Sequence, residues 1–182
     1  MMDIAHIVTG FSPIAAMNAK ILILGSVPSV ASLEKQEYYA HPRNSFWNII
    51  AQLTDSPPLL SYEQKKAALI ENGIALWDVL KHCHREGSLD SSIQSQSIVV
   101  NDFESFFKAH RLIRAILFNG TKAEKEYNKR VVPIISHKFD QLSYYRLPST
   151  SPAMAQLSRQ EKLQLWLEVM NKIKGYPNNR KG

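Results

Sequence analysis

Between residues 38 and 47 the chain reads Tyr38-Tyr39-Ala40-His41-Pro42-Arg43-Asn44-Ser45-Phe46-Trp47, so paired aromatic rings, a histidine, an arginine and an asparagine stand just before the apolar helix face Phe46, Ile49, Ile50, Leu53. Such residues can stack on a flat ring, hold a water or touch a phosphate. Asn44 has a second reading, as the cap that satisfies the N–H of Phe46 or Trp47. Tyrosines commonly bury the ring and leave the hydroxyl wet, so both can simply pack, and one of the two is expected to face the cleft. His41 and Arg43 read equally well as solvated loop residues. A second candidate is the loop Gly25-Ser26-Val27-Pro28-Ser29, whose Ser26 and Ser29 hydroxyls and backbone N–H groups suit phosphate contact, or form an ordinary turn. Asp78 could accept a hydrogen bond from a ring N–H or cap the turn that follows. Asn119, in Phe118-Asn119-Gly120-Thr121, could donate its amide to a carbonyl or serve as a turn residue. Ser149, Thr150 and Ser151 lie between Pro148 and Pro152, an arrangement able to pinch a nucleic-acid backbone. Met154 reads either as core or as an apolar wedge.

Four apolar runs must position these groups: Lys20–Leu24, Gly73–Trp77, Ile113–Phe118 and Leu142–Leu147 each read as a buried strand ending in a polar or small loop. Between them, Ser61 with Gln64, Asn101 with Glu104, Thr121 with Glu124 and Ser158 with Glu161 have the spacing of helix capping boxes. Leu163, Trp166, Leu167, Met170 and Ile173 form one helical stripe, so Trp166 reads as core. The alternation predicts an α/β fold, a three-layer sandwich around a four-stranded, mostly parallel sheet. In such folds ligands bind beyond the carboxyl ends of the strands, where every candidate above is found.

The bulk properties narrow the class. A chain of 182 residues, 45% hydrophobic, suits one domain, with its core over about 11–174 and a basic tail at 175–182. Twenty-two Lys and Arg against 16 Asp and Glu give a net charge of +6 and a pI near 9.4, which favours polyanionic partners. Cys83 is the single cysteine, which excludes an intrachain disulfide and a cysteine-held cluster. His82-Cys83-His84 lacks the spacing to wrap one ion, so neither a metal nor a cofactor is expected. With no 18-residue apolar run and no leader-like start, the chain reads as soluble and cytoplasmic, and it is expected to be a monomer.

The Gly25–Ser29 loop, the Tyr38–Trp47 run and Leu147-Pro148-Ser149-Thr150-Ser151-Pro152-Ala153 together resemble the uracil-DNA glycosylase superfamily. The resemblance spans about Phe11 to Met170. It is greatest to the hypoxanthine-DNA (deoxyinosine) glycosylase branch, and next to the mismatch-specific uracil/thymine glycosylases, which share the run His-Pro-x-Asn-x-Phe-Trp. It implies a monofunctional glycosylase of base excision repair, associated with the nucleoid, that flips a deaminated base out of double-stranded or single-stranded DNA and hydrolyses its glycosidic bond. Hypoxanthine is the implied base; uracil, xanthine or a G/U mismatch are alternatives, as are an inactive DNA- or base-binding module and a glycosidase of free nucleosides. By the same resemblance Asn44 is catalytic, Tyr39 stacks on the base, Asp78 and Asn119 read its edge, and Ser26, Ser29, Ser149, Thr150 and Ser151 hold phosphates. Two positions depart from the wider superfamily. Val27 stands where most members orient water with Asp or Asn, a residue that the hypoxanthine branch also lacks, and Leu147 replaces a frequent base-binding His. Gly87-Ser88-Leu89-Asp90-Ser91-Ser92 resembles a recurrent loop of that branch, with no role derivable from sequence.

Overall fold

The computed structural model describes residues 6–57 and 61–173; the tail expected at 175–182 lies outside them. In chain order the elements are β1 (Ile7–Thr9), β2 (Ile21–Gly25), α1 (Val30–Lys35), α2 (Phe46–Leu53), α3 (Tyr62–Glu71), β3 (Ile74–Asp78), β4 (Leu80–His84), β5 (Val99–Val100), α4 (Phe103–Ala109), β6 (Ala115–Asn119), α5 (Thr121–Arg130), α6 (Val132–Ile135), β7 (Ser143–Leu147) and α7 (Arg159–Ile173). The four expected strands are β2, β3, β6 and β7, and they form one parallel sheet in the order β3-β2-β6-β7.

Strand alternation divides the core into two layers. Leu22, Leu24, Ala75, Trp77, Ile116 and Phe118 pack on one face against Phe103, Phe106 and Phe107 of α4, Tyr127 of α5 and Ile135 of α6. Ile21, Ile23, Ile74, Leu76, Ala115 and Leu117 face the other way, onto Phe46, Ile49 and Ile50 of α2, Leu69 of α3, and Trp166 and Met170 of α7. Trp166 is fully buried, with its indole N–H donating to the Pro148 carbonyl at 3.1 Å, so its core assignment holds.

A second, antiparallel sheet, β1-β4-β5, was not expected. Its strands are short, and β4 reads Leu-Lys-His-Cys-His, too polar to signal a strand. Only Val79 separates β3 from β4, so the chain turns a corner there from one sheet into the other. The Val79 and Leu80 N–H groups donate to the carbonyls of Gly25 and Ser26 at 2.9 and 3.0 Å, tying this corner to the end of β2.

Two of the four capping boxes form as read: Ser61 with Gln64 on α3, and Ser158 with Glu161 ahead of α7. The other two do not. Asp102 caps α4, accepting from Ser105 N–H at 3.0 Å, while the Asn101 amide turns back to the Asp78 carbonyl at 2.8 Å. In α5, Gly120 precedes the helix at φ 98° and Thr121 is its first residue; Glu124 pairs with Arg146 instead of capping.

Candidate functional site

A cleft of about 420 Å³ opens at the carboxyl ends of the parallel strands, within the size range of small-ligand pockets, roughly 300–1,000 Å³. Tyr39, Asn44, Asp78, Asn119, Ser26, Ser29, Ser149, Thr150 and Ser151 all line it. A wider groove of about 780 Å³ runs between Gly10–Ala15 and α3, away from these groups. Tyr38 stands between the two and lines both. It is the packed tyrosine, its hydroxyl donating to the Ser12 carbonyl at 2.9 Å.

The cleft floor is made by Gly25, Asp78 and Tyr39. A Cβ placed on Gly25 would stand 2.5 Å from Asp78 Oδ1 and 2.7 Å from the Tyr39 hydroxyl, so both polar groups crowd over a position only glycine can occupy. Asp78 Oδ2 and the Tyr39 hydroxyl are both buried with no hydrogen-bond partner. Buried polar atoms are nearly always paired, and two adjacent orphans at the base of a cleft mark where a ligand's polar edge belongs. Burial, reinforced by the Asp90 charge and opposed by Arg85, pushes the Asp78 carboxyl up to about 7. Burial and then the Asp78 charge raise the Tyr39 hydroxyl above the usual tyrosine range; the Asn119 side chain, close to the hydroxyl but outside hydrogen-bond geometry, opposes the rise. Asp78 does not cap the next turn; its carboxyl is free for a ligand. Tyr39 takes a left-handed backbone conformation, φ 53°, and its ring stacks on Phe46 with centroids 4.0 Å apart.

Asn44 stands at the rim. Its Oδ1 accepts the Phe46 N–H at 3.0 Å, the bond expected of a cap, although Ser45 holds the N-cap position itself, and the same residue faces the cleft. A carbonyl oxygen has two lone pairs, and the second remains for a water held at a fixed place. His41 builds the preceding turn rather than waving in solvent: its carbonyl and Nδ1 accept the N–H groups of Asn44 and Arg43.

Asn119 and Thr150 bind each other reciprocally, Nδ2 to Oγ1 and Thr150 N–H to Oδ1, both at 2.9 Å. Thr150 is fully buried and its carbonyl accepts from Ser45 N–H at 3.1 Å. The phosphate contact expected of Thr150 is therefore not what this arrangement offers; its side chain fixes the loop. Asn119 keeps one amide hydrogen for a ligand. Ser149 and Ser151 accept the N–H groups of Ser151 and Ala153, which shapes the loop while their hydroxyl hydrogens stay free. Ser29 caps α1 through the Ser32 N–H, and the Ser26 hydroxyl donates to Asp90 Oδ1 at 2.7 Å. The carbonyl of Ser151 is held by Lys162, a buried ammonium whose pKa burial lowers.

Several groups were missed by sequence reasoning. Arg85 is buried, and donates from Nε to the Gly87 carbonyl at 2.8 Å and from Nη2 to the Pro28 carbonyl at 2.7 Å, clamping the Gly87–Ser92 segment to the first loop. Asp90 is solvent-accessible on its outer side, yet the protein packed around its carboxyl raises its pKa. Thr121 and Lys122, in the first turn of α5, bring a helix N-terminus to the cleft, a favourable place for negative charge. The one available signal was the Gly-Ser-Leu-Asp-Ser-Ser run itself. His82, Cys83 and His84 lie along β4, where successive side chains point to opposite faces. Among the described residues no group of three or more His, Cys, Asp or Glu is placed to hold a metal ion.

A parallel α/β sandwich with an unpartnered carboxyl and hydroxyl beneath hydroxyl-rich loops defines a class that grips a planar, polar-edged group. The model of the uracil DNA glycosylase superfamily matches residues 11–174, and the chain belongs to that superfamily. It is 43% identical over 115 residues to a hypoxanthine DNA glycosylase of Methanosarcina acetivorans and 37% identical over 115 residues to one of Methanosarcina barkeri; each match covers 63% of this chain and 72% of the relative. A solution NMR structure of a protein from Methanosarcina acetivorans, assigned provisionally as a uracil DNA glycosylase, superposes with a TM-score of 0.75 at 35% identity. That likeness covers 92% of this chain and 98% of the other.

Proposed function

We propose that this protein is a monofunctional DNA glycosylase that removes hypoxanthine from deoxyinosine in double-stranded DNA, acting as a monomer at the nucleoid. The observation that carries the reading is the orphaned pair at the floor, Asp78 Oδ2 and the Tyr39 hydroxyl. Hypoxanthine presents a ring N–H beside a carbonyl; an ionised Asp78 accepts the first and the Tyr39 hydroxyl donates to the second, an edge contact in place of the stacking that the resemblance implies for Tyr39, whose ring already stacks on Phe46. The names of the two Methanosarcina relatives support the choice of base.

A stacked base cannot reach this floor, so the nucleotide must be extruded, at a cost of a few kcal/mol that falls for an I·T mispair. Ser26, Ser29, Ser149 and Ser151 all line the cleft, and the hydroxyl hydrogens of Ser149 and Ser151 are free to reach a phosphate. Those of Ser26 and Ser29 are given to Asp90 and Ser32, so the first loop can meet a phosphate only through its backbone N–H groups or by releasing those bonds. As the C1′–N9 bond breaks, its electron pair leaves with the base and positive charge spreads over the sugar. Water held by Asn44 adds to C1′ and its proton is taken up by the departed base anion, leaving neutral hypoxanthine and an abasic site. Val27 lines the cleft but carries no polar group, and Leu147 is packed in the core, so water orientation falls to Asn44. Lys122 is paired with Glu126 at 2.9 Å and Lys162 with backbone, which supports hydrolysis without strand cleavage.

The test is single-turnover base release from duplexes carrying one deoxyinosine or one deoxyuridine, with an Asn44→Ala variant alongside. Hypoxanthine release lost in the variant is the expected result. Preferential release of uracil would move the protein to a neighbouring specificity, and no release from any duplex would leave a base-binding module.

A further inference from the structure

For a cleft that must admit a polyanion, the charge is of the wrong sign. Among the described residues its charged side chains are Asp78, Asp90 and Lys122, and the Lys122 ammonium is already paired with Glu126 at 2.9 Å. Asp78 lies at the floor, whereas Asp90 stands on the exposed tip formed by residues 88–92, against the first loop. Two bonds tie that tip to the loop. The Ser26 hydroxyl donates to Asp90 Oδ1 at 2.7 Å, and the Val30 N–H donates to the Ser88 hydroxyl oxygen at 2.9 Å. A serine hydroxyl and a backbone N–H are the kinds of donor that hold phosphate oxygens. Behind the tip the chain is anchored, with Arg85 on the Gly87 carbonyl at 2.8 Å and the Gln94 N–H on the His84 carbonyl at 3.0 Å. Gly87, at φ 67° in open space, supplies a joint between anchor and tip.

Resting on the glycosylase reading above, we infer that the Ser88–Asp90 tip is an internal stand-in for a DNA phosphate, an autoinhibitory contact that fills the donors of the first loop in the free protein and is exchanged for a phosphodiester when a duplex docks. A carboxylate and a phosphodiester are both anions with acceptor oxygens, so they compete for one set of donors and repel each other beside it. The exchange breaks two hydrogen bonds and forms two, which keeps its net cost small. It also moves a like charge out of the path of the backbone. Undamaged DNA is held weakly at this loop, because the tip returns; a duplex with a base seated on the floor gains the further contacts that keep the tip displaced.

The test measures binding of an undamaged duplex across a range of salt concentrations by wild type, Asp90→Ala and the double variant Ser26→Ala/Asp90→Ala, with hypoxanthine release from a deoxyinosine duplex followed in parallel. Asp90→Ala frees the Ser26 hydroxyl and removes the charge. It should bind undamaged DNA roughly tenfold tighter, with log K against log salt steeper by about 0.9, the share of one added phosphate contact. The double variant should return to the wild-type slope. In wild type, saturating duplex should speed amide exchange across 88–92, where a segment that merely touched DNA would be slowed. Unchanged affinity and slope in Asp90→Ala, or slower exchange at the tip, overturns the inference. Base release is decided separately: a wild type that shows this binding pattern but frees no base refutes the glycosylase reading alone, and an active enzyme indifferent to Asp90 refutes the stand-in alone. Asp90→Asn keeps an acceptor for Ser26 without the charge and should fall between wild type and Asp90→Ala. Asp90 is exposed, so matching unfolding midpoints should exclude misfolding as the cause.

Discussion

Asp78→Asn should stabilise the protein, and do so increasingly as pH rises. The carboxyl is raised from 3.8 to about 7, chiefly by burial and then by Asp90. For an acid raised in this way the native state keeps its proton where the unfolded chain has released it. Native stability therefore falls as pH climbs from about 3.8, and stops falling above about 7. The two values lie about three pH units apart, worth on the order of 4 kcal/mol in full, and less once water reaches the cleft. Asn cannot ionise, so the difference between variant and wild type should grow by roughly 1.4 kcal/mol per pH unit between pH 4.5 and 6.5, then level off. Urea unfolding of both proteins at half-unit intervals from pH 4 to 8.5 measures it, and subtraction removes the titrations they share. A difference that is constant across this range would refute the buried, unpartnered state of Asp78 and with it the account of the floor. The same substitution should abolish base selection, so stability and activity are expected to move in opposite directions.

Three further outcomes follow from the same geometry. Asn44→Ala should lower the single-turnover rate by at least about a hundredfold and cost about 1 kcal/mol through the lost Phe46 N–H bond; Asn44→Asp, which keeps that acceptor, should lose rate without the stability change in urea unfolding. Arg85→Met strips the Gly87 and Pro28 carbonyls of their donors, at about 1–3 kcal/mol for each group left unpaired, and limited proteolysis should then cut first within 86–92. Gly25→Ala puts a methyl into the space shared by Asp78 and Tyr39, so base release should collapse while calorimetry shows a stability loss of about 1–3 kcal/mol.

Three strands of the parallel sheet, β2, β3 and β6, were legible because they are buried on both faces and therefore read as unbroken apolar runs, whereas β7 is a largely exposed edge strand marked by its two tyrosines and terminal leucine. The site was legible by position, since strand ends in such a sheet converge, and the structure brings all nine named residues to one cleft. What escaped depended on pairings far apart in sequence. Nothing in Lys81-His82-Cys83-His84 announces that β4 adds to β1, because the pairing, rather than the residues, makes that strand. A lone Arg85 among polar neighbours reads as solvated, and its burial follows from two backbone carbonyls, one of them 57 positions away. Thr150 looked like one of three equivalent hydroxyls; Asn119, 31 positions earlier, makes it different. Asn101 lost the cap to Asp102 because its amide is wanted at the Asp78 carbonyl.

The corner at Val79 joins the floor of the cleft to the molecule's most cooperative unit. Because Val79 and Leu80 are fully buried and their amides bond to the end of β2, these amide hydrogens should exchange only when the whole sheet opens. The walls are loops held by side chains, and can breathe at much lower cost. A bulky polymer can thus part the walls and seat one nucleotide without loosening the surface that inspects it, so the fidelity of inspection is insulated from the work of admission.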